Sequence, residues 1–259
     1  DKYSAWKWAQ RHQLPFAASF IYQDKQDQKE LEAFIKQVGF PLIAKPRQGF
    51  GSYGVFLANS WDHIHNLCEM PDLLFQEYLT PPDDFAQFLE TYNLAIPLFF
   101  EIPENKHYTA QTLIRPDGSL SDVFCSVSKM KMGRDEWYQR IDEPKMLELL
   151  KKYAQILYQQ GWVGPLNLQC KPDSNGDWKA YELNLRFSGG TSCRLLLGHD
   201  ELGLFINAFY PETQIKDLSA NPPPKAIVQR TLKDQVIYQQ DWQVIKDQTY
   251  WKKNLKCVY

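Results

Sequence analysis

The chain has 259 residues, with 29 Lys and Arg against 31 Asp and Glu for a net charge of −2, and 44% hydrophobic and 14% aromatic residues. That length buries one large core or two modest ones, and the composition is that of a folded chain and not a disordered one. The balanced charge argues against a general nucleic-acid binder. A membrane-spanning helix needs about 18 consecutive apolar residues, and even the most apolar stretch, 85–102, is interrupted by Gln87, Glu90, Asn93 and Pro97.

Five cysteines, Cys68, Cys125, Cys170, Cys193 and Cys257, form an odd set without a CxxC pair. This points to a reducing setting and away from a disulfide scaffold or zinc site. Asp1 stands where a methionine would begin a chain, and nothing after it resembles a signal peptide, so the sequence reads as cut from a longer protein.

In chain order, Tyr3, Trp6, Ala9 and Leu14 fall at roughly helical spacing over 1–14, and Pro15 ends that segment. Residues 27–38 form an amphipathic helix through Leu31, Phe34, Ile35 and Val38, stopped by Gly39. A strand over 41–45 leads into the loop Pro46-Arg-Gln-Gly-Phe-Gly-Ser-Tyr-Gly54, followed by a strand at 55–58, a helix at 60–68 and a strand at 73–79. Thr80-Pro-Pro-Asp-Asp84 is the best hinge candidate. Beyond the apolar stretch, strands at 108–114 and 120–127 flank Pro116-Asp-Gly-Ser119, a hairpin signal. A helix over 143–160 ends at Gly161, and strands at 163–171 and 178–185 flank Asp173-Ser-Asn-Gly-Asp177. Residues 200–209 are helical, and strands at 225–232 and 235–238 follow Asn221-Pro-Pro-Pro224. Short helices and strands alternate without long β-α-β units, so the fold class is α+β in two lobes.

The second hairpin concentrates the chemistry. A two-residue Asn175-Gly176 turn pairs Ser174 with Asp177, which sets Gln169 opposite Glu182 and Asn167 opposite Asn184. Period-two alternation sends all four side chains to one face, one carboxylate and three amides within roughly 5 Å across the strands. Such oxygen donors suit Mg²⁺, and the fork of Arg186, the next residue on that face, fits phosphate oxygens. A solvated hairpin face accounts for the same residues equally well, and a wider turn that slips the register by one residue turns Gln169 away.

Lys45 ends a strand ahead of Gly49, Gly51 and Gly54, a loop able to fold backbone N–H groups around phosphates. No Gly-Lys-Ser/Thr follows, and the loop leads into a strand instead of a helix, so it is neither a Walker A loop nor a dinucleotide fingerprint. By itself it reads more simply as a hairpin turn. Ser188-Gly-Gly-Thr-Ser192, after Arg186, either offers N–H groups to an anion or turns into a helix capped by Thr191 or Ser192.

Taken in order, Asp1-Lys2, PLIAKPRQGFGSYGV at 41–55, LLFQEYL at 73–79 and NLQC…YELNLRFSGGTS at 167–192 resemble the ATP-grasp superfamily, in the branch of carbamoyl phosphate synthase, biotin carboxylase and related carboxylate–amine ligases. The resemblance covers most of the chain. It implies an ATP-grasp fold of two α+β lobes, with 1–17 a leading helix packed on the large lobe, 18–79 a small lid, 80–259 the large lobe with the metal site, and the family's further amino-terminal lobe lacking. It places Lys2, Lys45, Gly49, Gly51, Ser52 and Gly54 at the phosphates of ATP, and Gln76, Glu77, Tyr78 and Leu79 at its adenine. It makes Gln169, Glu182 and Asn184 the ligands of Mg²⁺, or of Mn²⁺ in its place, and has Lys45 and Arg186 offset charge on the transferred phosphoryl group. The implied activity is that of a cytoplasmic ATP-dependent ligase. It activates a small-molecule carboxylate, or bicarbonate, as an acyl phosphate for attack by an amine or other nucleophile, with no nucleic-acid or membrane partner. The alternative is a non-catalytic ATP-binding module or subunit that works with a separate lobe. His107 stands where relatives place a ribose-contacting acid, and the insertion at 85–105 is longer and more apolar than theirs.

Overall fold

The computed structural model describes residues 1–49, 51–70, 72–80, 96–97, 106–131 and 134–231. The first element starts for a local reason: the Asp1 carboxylate accepts from the backbone of Tyr3 and Ser4 and caps helix α1 (Lys2–Arg11). The chain then passes through β1 (Ser19–Tyr22), α2 (Gln28–Val38), β2 (Leu42–Pro46), β3 (Phe56–Ala58), α3 (Trp61–Leu67), β4 (Leu73–Glu77) and β5 (Ile96–Pro97). These five strands form one sheet in the order β1-β4-β2-β3-β5, antiparallel at every pairing. The apolar stripes of α2 and α3, through Leu31, Ile35, Ile64 and Leu67, close a core against Leu42, Ala44, Leu73 and Phe75. Lys45 and Gln76 alternate with these residues and so belong to the opposite face.

The second sheet collects β6 (Lys106–Ile114), β7 (Phe124–Lys131), β8 (Arg134–Arg140), β9 (Gly164–Pro172), β10 (Trp178–Asn184) and β11 (Ile227–Gln229). Its order is β10-β9-β6-β7-β8-β11, again antiparallel throughout. Helix α4 (Pro144–Gln159) covers one face, packing Met146, Leu150 and Tyr153 with Ala110, Leu166, Leu168 and Cys170. Near α5 (Thr191–Leu196) and α6 (Glu201–Phe209), Cys193 and Leu197 pack with Phe124 and Tyr138. Both sheets are antiparallel and no long β-α-β unit is present among the described residues, so the α+β class holds.

Several expected boundaries move. The strand expected at 120–127 starts only at Phe124, because Ser121 holds the chain back. Its Oγ accepts the Leu113 N–H at 2.9 Å while Thr112 Oγ1 donates to its carbonyl at 3.1 Å, local bonds that compete with the ladder. Strand β8, Arg-Asp-Glu-Trp-Tyr-Gln-Arg, is too charged to read as a strand and exists through its pairing with β7 and β11 on either side. The Ser188–Thr191 region turns into α5 with Gly190 at the N-cap and no side-chain cap bond, in place of the expected Thr191 or Ser192. The strand expected at 235–238, the Pro-Pro-Asp-Asp hinge and nearly all of the 85–105 insertion lie outside the described residues.

Asp1–Gln229 forms one compact unit and Arg230–Tyr259 a second, of which only Arg230 and Thr231 are described. Among the described residues no helix is long and apolar enough to cross a membrane, and Cys68, Cys125, Cys170 and Cys193 form no disulfide with one another.

Candidate functional site

The β9–β10 hairpin closes on three residues, not two. The Asp173 N–H donates to the Asp177 carbonyl and the Gly176 N–H to the Asp173 carbonyl, each at 2.9 Å, with Gly176 at φ +78°. The Asp173 carboxylate reinforces the turn by accepting from the backbone of Asn175 and Asp177 at 2.9 and 3.0 Å. The wider turn shifts the register, so that Trp178 faces Pro172, Lys179 faces Lys171 and Ala180 faces Cys170. A bulge between Ala180 and Glu182 then inserts Tyr181 and undoes the shift. Beyond it Gln169 faces Glu182 and Asn167 faces Asn184. The expected cluster therefore forms, but through a turn and a bulge that cancel, not through the two-residue Asn-Gly turn.

The same bulge leaves the Tyr181 carbonyl free for the other sheet. Lys45 Nζ donates to it at 3.1 Å and to Gln76 Oε1 at 2.7 Å, and Gln76 Nε2 is held in turn by Ser19 Oγ at 2.9 Å. Burial pulls the Lys45 ammonium down to about 8, with Glu182 pushing it back up and Lys2 adding to the fall. The Tyr181 hydroxyl meets His107 Nδ1 at 3.2 Å. Burial, helped by Lys171, pulls the imidazole of His107 down to about 3, so it is neutral. Lys171 is itself brought down to about 8 by burial and lies 5.2 Å from the centre of the Tyr78 ring.

Beside this cluster opens a pocket of about 230 Å³ whose lining includes Asp1, Lys2, Arg47, Gly49, Glu182, Asn184 and Arg186. Lys2 Nζ reaches the carbonyls of Pro46 and Gly49 at 3.3 and 3.5 Å. Arg47 donates from Nε and Nη2 to Asp1 Oδ2 at 3.0 and 2.6 Å. The start of α1 thus holds the glycine loop from two sides. Gly51 and Gly54 adopt φ +59° and +69°, the left-handed conformation that glycine reaches without strain.

Of the expected site residues, Lys2, Gly49, Glu182, Asn184 and Arg186 meet at this pocket, whereas Gly51, Ser52 and Gly54 do not line it. Gln169 lies across the ladder from Glu182. Lys45 and Gln76 are joined to each other and to Tyr181. Glu77 is engaged by the fold: its carboxylate accepts the Ala18 N–H at 3.0 Å and pairs with Lys179 at 3.3 Å. Tyr78 and Leu79 continue the chain just past β4. Arg47, Lys171 and the carbonyl of Tyr181 were not legible as site groups. Lys171 had a signal, since it follows Gln169 by two residues and shares its face.

The donor chemistry suits a hard cation. Asn184 Nδ2 donates to Glu182 Oε1 at 3.0 Å, which orients both side chains and leaves the amide oxygen of Asn184 available. Asn167 is fully buried with neither amide atom partnered, and Gln111 Oε1 beside it is likewise unpartnered. Each such group left alone costs about 1–3 kcal/mol, a penalty that a ligand or water at the site relieves. Among the described residues no group of three or more His, Cys, Asp or Glu is placed to hold a metal, so a cation here would rest on one carboxylate and neighbouring amides, all oxygen donors.

No family model and no curated protein sequence matches the chain. Solved structures do. An N5-carboxyaminoimidazole synthetase from Staphylococcus aureus complexed with ADP superposes with a TM-score of 0.59 at 14% identity, over 86% of this chain and 52% of its own. A carboxyaminoimidazole ribonucleotide synthase from Aspergillus clavatus complexed with ATP gives 0.58 at 14% identity, over 84% and 53%. The chain has the ATP-grasp fold. An L-amino acid ligase from Bacillus licheniformis matches this chain at 0.56 and 13% identity, over 83% and 49%. The chain therefore spans about half the length of the structures it matches.

Proposed function

We propose that this ATP-grasp chain binds ATP with Mg²⁺ and belongs to a ligase that activates a carboxylate, or bicarbonate, as an acyl phosphate. The observation that carries the reading is the row of oxygen donors restored by the Tyr181 bulge, with Glu182 opposite Gln169 and Asn184 opposite a buried, unpartnered Asn167. It is supported by the names of the matching structures, which are synthetases and a ligase, two of them complexed with ADP or ATP.

Gln169, Glu182 and Asn184 hold the metal, which when bound neutralises phosphate charge. Lys2, Lys45 and the glycine loop over Gly49, Gly51, Ser52 and Gly54 receive the phosphates, Gln76, Glu77, Tyr78 and Leu79 border the adenine, and 18–79 acts as the lid. Lys45 and Arg186 offset the charge that develops as the carboxylate oxygen attacks the γ-phosphorus and ADP departs. Attack of an amine on the acyl carbon then expels phosphate. Phosphoryl transfer depends on positioning and charge stabilisation, so no nucleophilic side chain is needed. A second reading is a non-catalytic ATP-binding module or subunit that needs a separate lobe or partner. ADP release that depends on an added carboxylate separates the two.

Calorimetric titration of Mg·ADP into the 259-residue chain and its Glu182→Ala variant tests the site. The expected outcome is a loss of tenfold or more in the variant, about 1.4 kcal/mol. A wild-type chain that binds no nucleotide overturns the reading.

A further inference from the structure

The turn at 188–191 follows Arg186 directly, and a buried arginine that the ligase reading leaves unused holds it in place. Arg194 is 0% exposed, and every nitrogen of its guanidinium is engaged. Nε and Nη2 donate to the two oxygens of Glu201 at 3.1 and 2.7 Å. Nη1 donates to the Tyr138 hydroxyl at 2.9 Å and Nη2 also to Ser188 Oγ at 2.9 Å. Ser188 Oγ in turn accepts the Gly190 N–H at 3.3 Å, and the Ser188 carbonyl accepts from Thr191 Oγ1 at 2.9 Å. A Cβ at Gly190 would lie 2.7 Å from Arg194 Nη1 and 3.0 Å from the Tyr138 hydroxyl, so any side chain there displaces the network.

The network also reaches the strand beside the oxygen-donor row. The Tyr138 hydroxyl meets Ser126 Oγ at 2.8 Å and Thr109 Oγ1 at 3.0 Å, and Thr109 lies opposite Gln169 in the β6–β9 register. One guanidinium thus ties α6, the turn after Arg186 and the neighbour of Gln169 into a single hydrogen-bonded unit. Stability alone is a weak reason for such a pair, since well-packed apolar residues often hold a core as firmly as a buried ion pair. What the arginine supplies is a rigid, multidentate geometry that neither lysine nor an apolar residue reproduces.

We propose that Arg194 is a positioning residue, fixing the 188–191 turn so that Arg186 meets the γ-phosphoryl end of the bound nucleotide. This rests on the ligase reading, which assigns Arg186 to that phosphoryl group. The test compares calorimetric affinities for Mg·ADP and for the Mg²⁺ complex of a non-hydrolysable ATP analogue, since only the analogue carries the γ-phosphoryl group. Arg194→Lys keeps the charge but loses the fork. It is expected to weaken the analogue about fivefold or more while ADP stays within about twofold, and to add nothing further in an Arg186→Gln background. Tyr138→Phe removes one hydroxyl from the network and gives the same selective loss, smaller, should the arginine variant fail to fold. Equal losses for both nucleotides, or full additivity with Arg186→Gln, overturn the assignment and leave the ligase reading standing. A wild-type chain that binds neither nucleotide overturns the ligase reading and this assignment with it.

Discussion

The two sheets share antiparallel ladders but differ in what they bury. In the five-stranded sheet, β2 and β4 are each buried over four consecutive residues, and the polar groups among those eight are Lys45 and Gln76 alone. In the six-stranded sheet the buried residues include Gln111, Ser126, Ser128, Asn167 and Lys171, all on the face opposite α4. Buried polar groups are tolerated where they find partners and are costly where they do not. The first sheet is therefore core that contributes one cation, and the second is a platform whose polar face exists for something else. Even that platform divides. The part under Arg194 is satisfied from end to end, whereas Asn167 and Gln111 Oε1 are not, and the unsatisfied part adjoins Glu182, Asn184 and the pocket.

The largest effect that would break this contrast comes from the satisfied part. Arg194→Met strands the Glu201 carboxylate, 4% exposed, without its ion-pair partner and is expected to lower unfolding free energy by about 3–5 kcal/mol in urea titration. A loss below about 1 kcal/mol would mean that water already reaches the network.

A smaller pair of effects sharpens the contrast by sign. Asn167→Leu replaces an unpartnered buried amide by an apolar group of similar size and is expected to stabilise the nucleotide-free chain by about 1 kcal/mol. The same variant is expected to weaken Mg·ADP binding. Ser126→Ala removes a hydroxyl bonded to Tyr138 at 2.8 Å and is expected to destabilise by about 1 kcal/mol. Thermal or urea unfolding of the two variants side by side reads both signs. If Asn167→Leu destabilises as Ser126→Ala does, the amide is satisfied in solution and the donor row loses its support.

How much of this could be read beforehand follows the same division. Where one face is apolar and the other polar, as over Leu166, Asn167, Leu168 and Gln169, the period-two pattern locates both the strand and the face. The pairing of Glu182 with Gln169 was legible as an outcome, although its cause was not. Neither the three-residue turn nor the Tyr181 bulge has a signature separable from the two-residue alternative, and their shifts cancel. Strand β8 was not legible because its charged sequence follows from its neighbours in the sheet, and tertiary pairing overrides local propensity. The links of Lys45 to the Tyr181 carbonyl and of Arg194 to the Tyr138 hydroxyl join residues 136 and 56 positions apart, which no local pattern encodes.

The last and mildest prediction uses Lys45, the one cation among the described strand residues of the five-stranded sheet. In the folded chain its ammonium is brought down to about 8 from 10.5 by burial, with Glu182 opposing and Lys2 assisting. Above pH 8 the unfolded chain therefore holds a proton that the folded chain has released. By linkage this group makes stability rise with pH between about 8 and 10.5, and below 8 its burial cost is constant. Lys171, also brought to about 8, works in the same direction. Cys68 and Cys125 have thiols pushed up to about 11 from 9.0 by burial. They work in the opposite direction once the unfolded thiols ionise near pH 9, so the lysine effect is clearest between about 8 and 9. On the proposed role of Lys45 at the phosphates the ammonium must be charged, so Mg·ADP affinity is expected to fall over the same interval, by at most about tenfold per pH unit. Calorimetry at pH 8.5 in two buffers of different ionisation enthalpy should show proton uptake on binding, and Lys45→Met should abolish most of it. An uptake unchanged in that variant would move the titrating group out of the five-stranded sheet and on to Lys171, whose place is among the buried polar groups of the other.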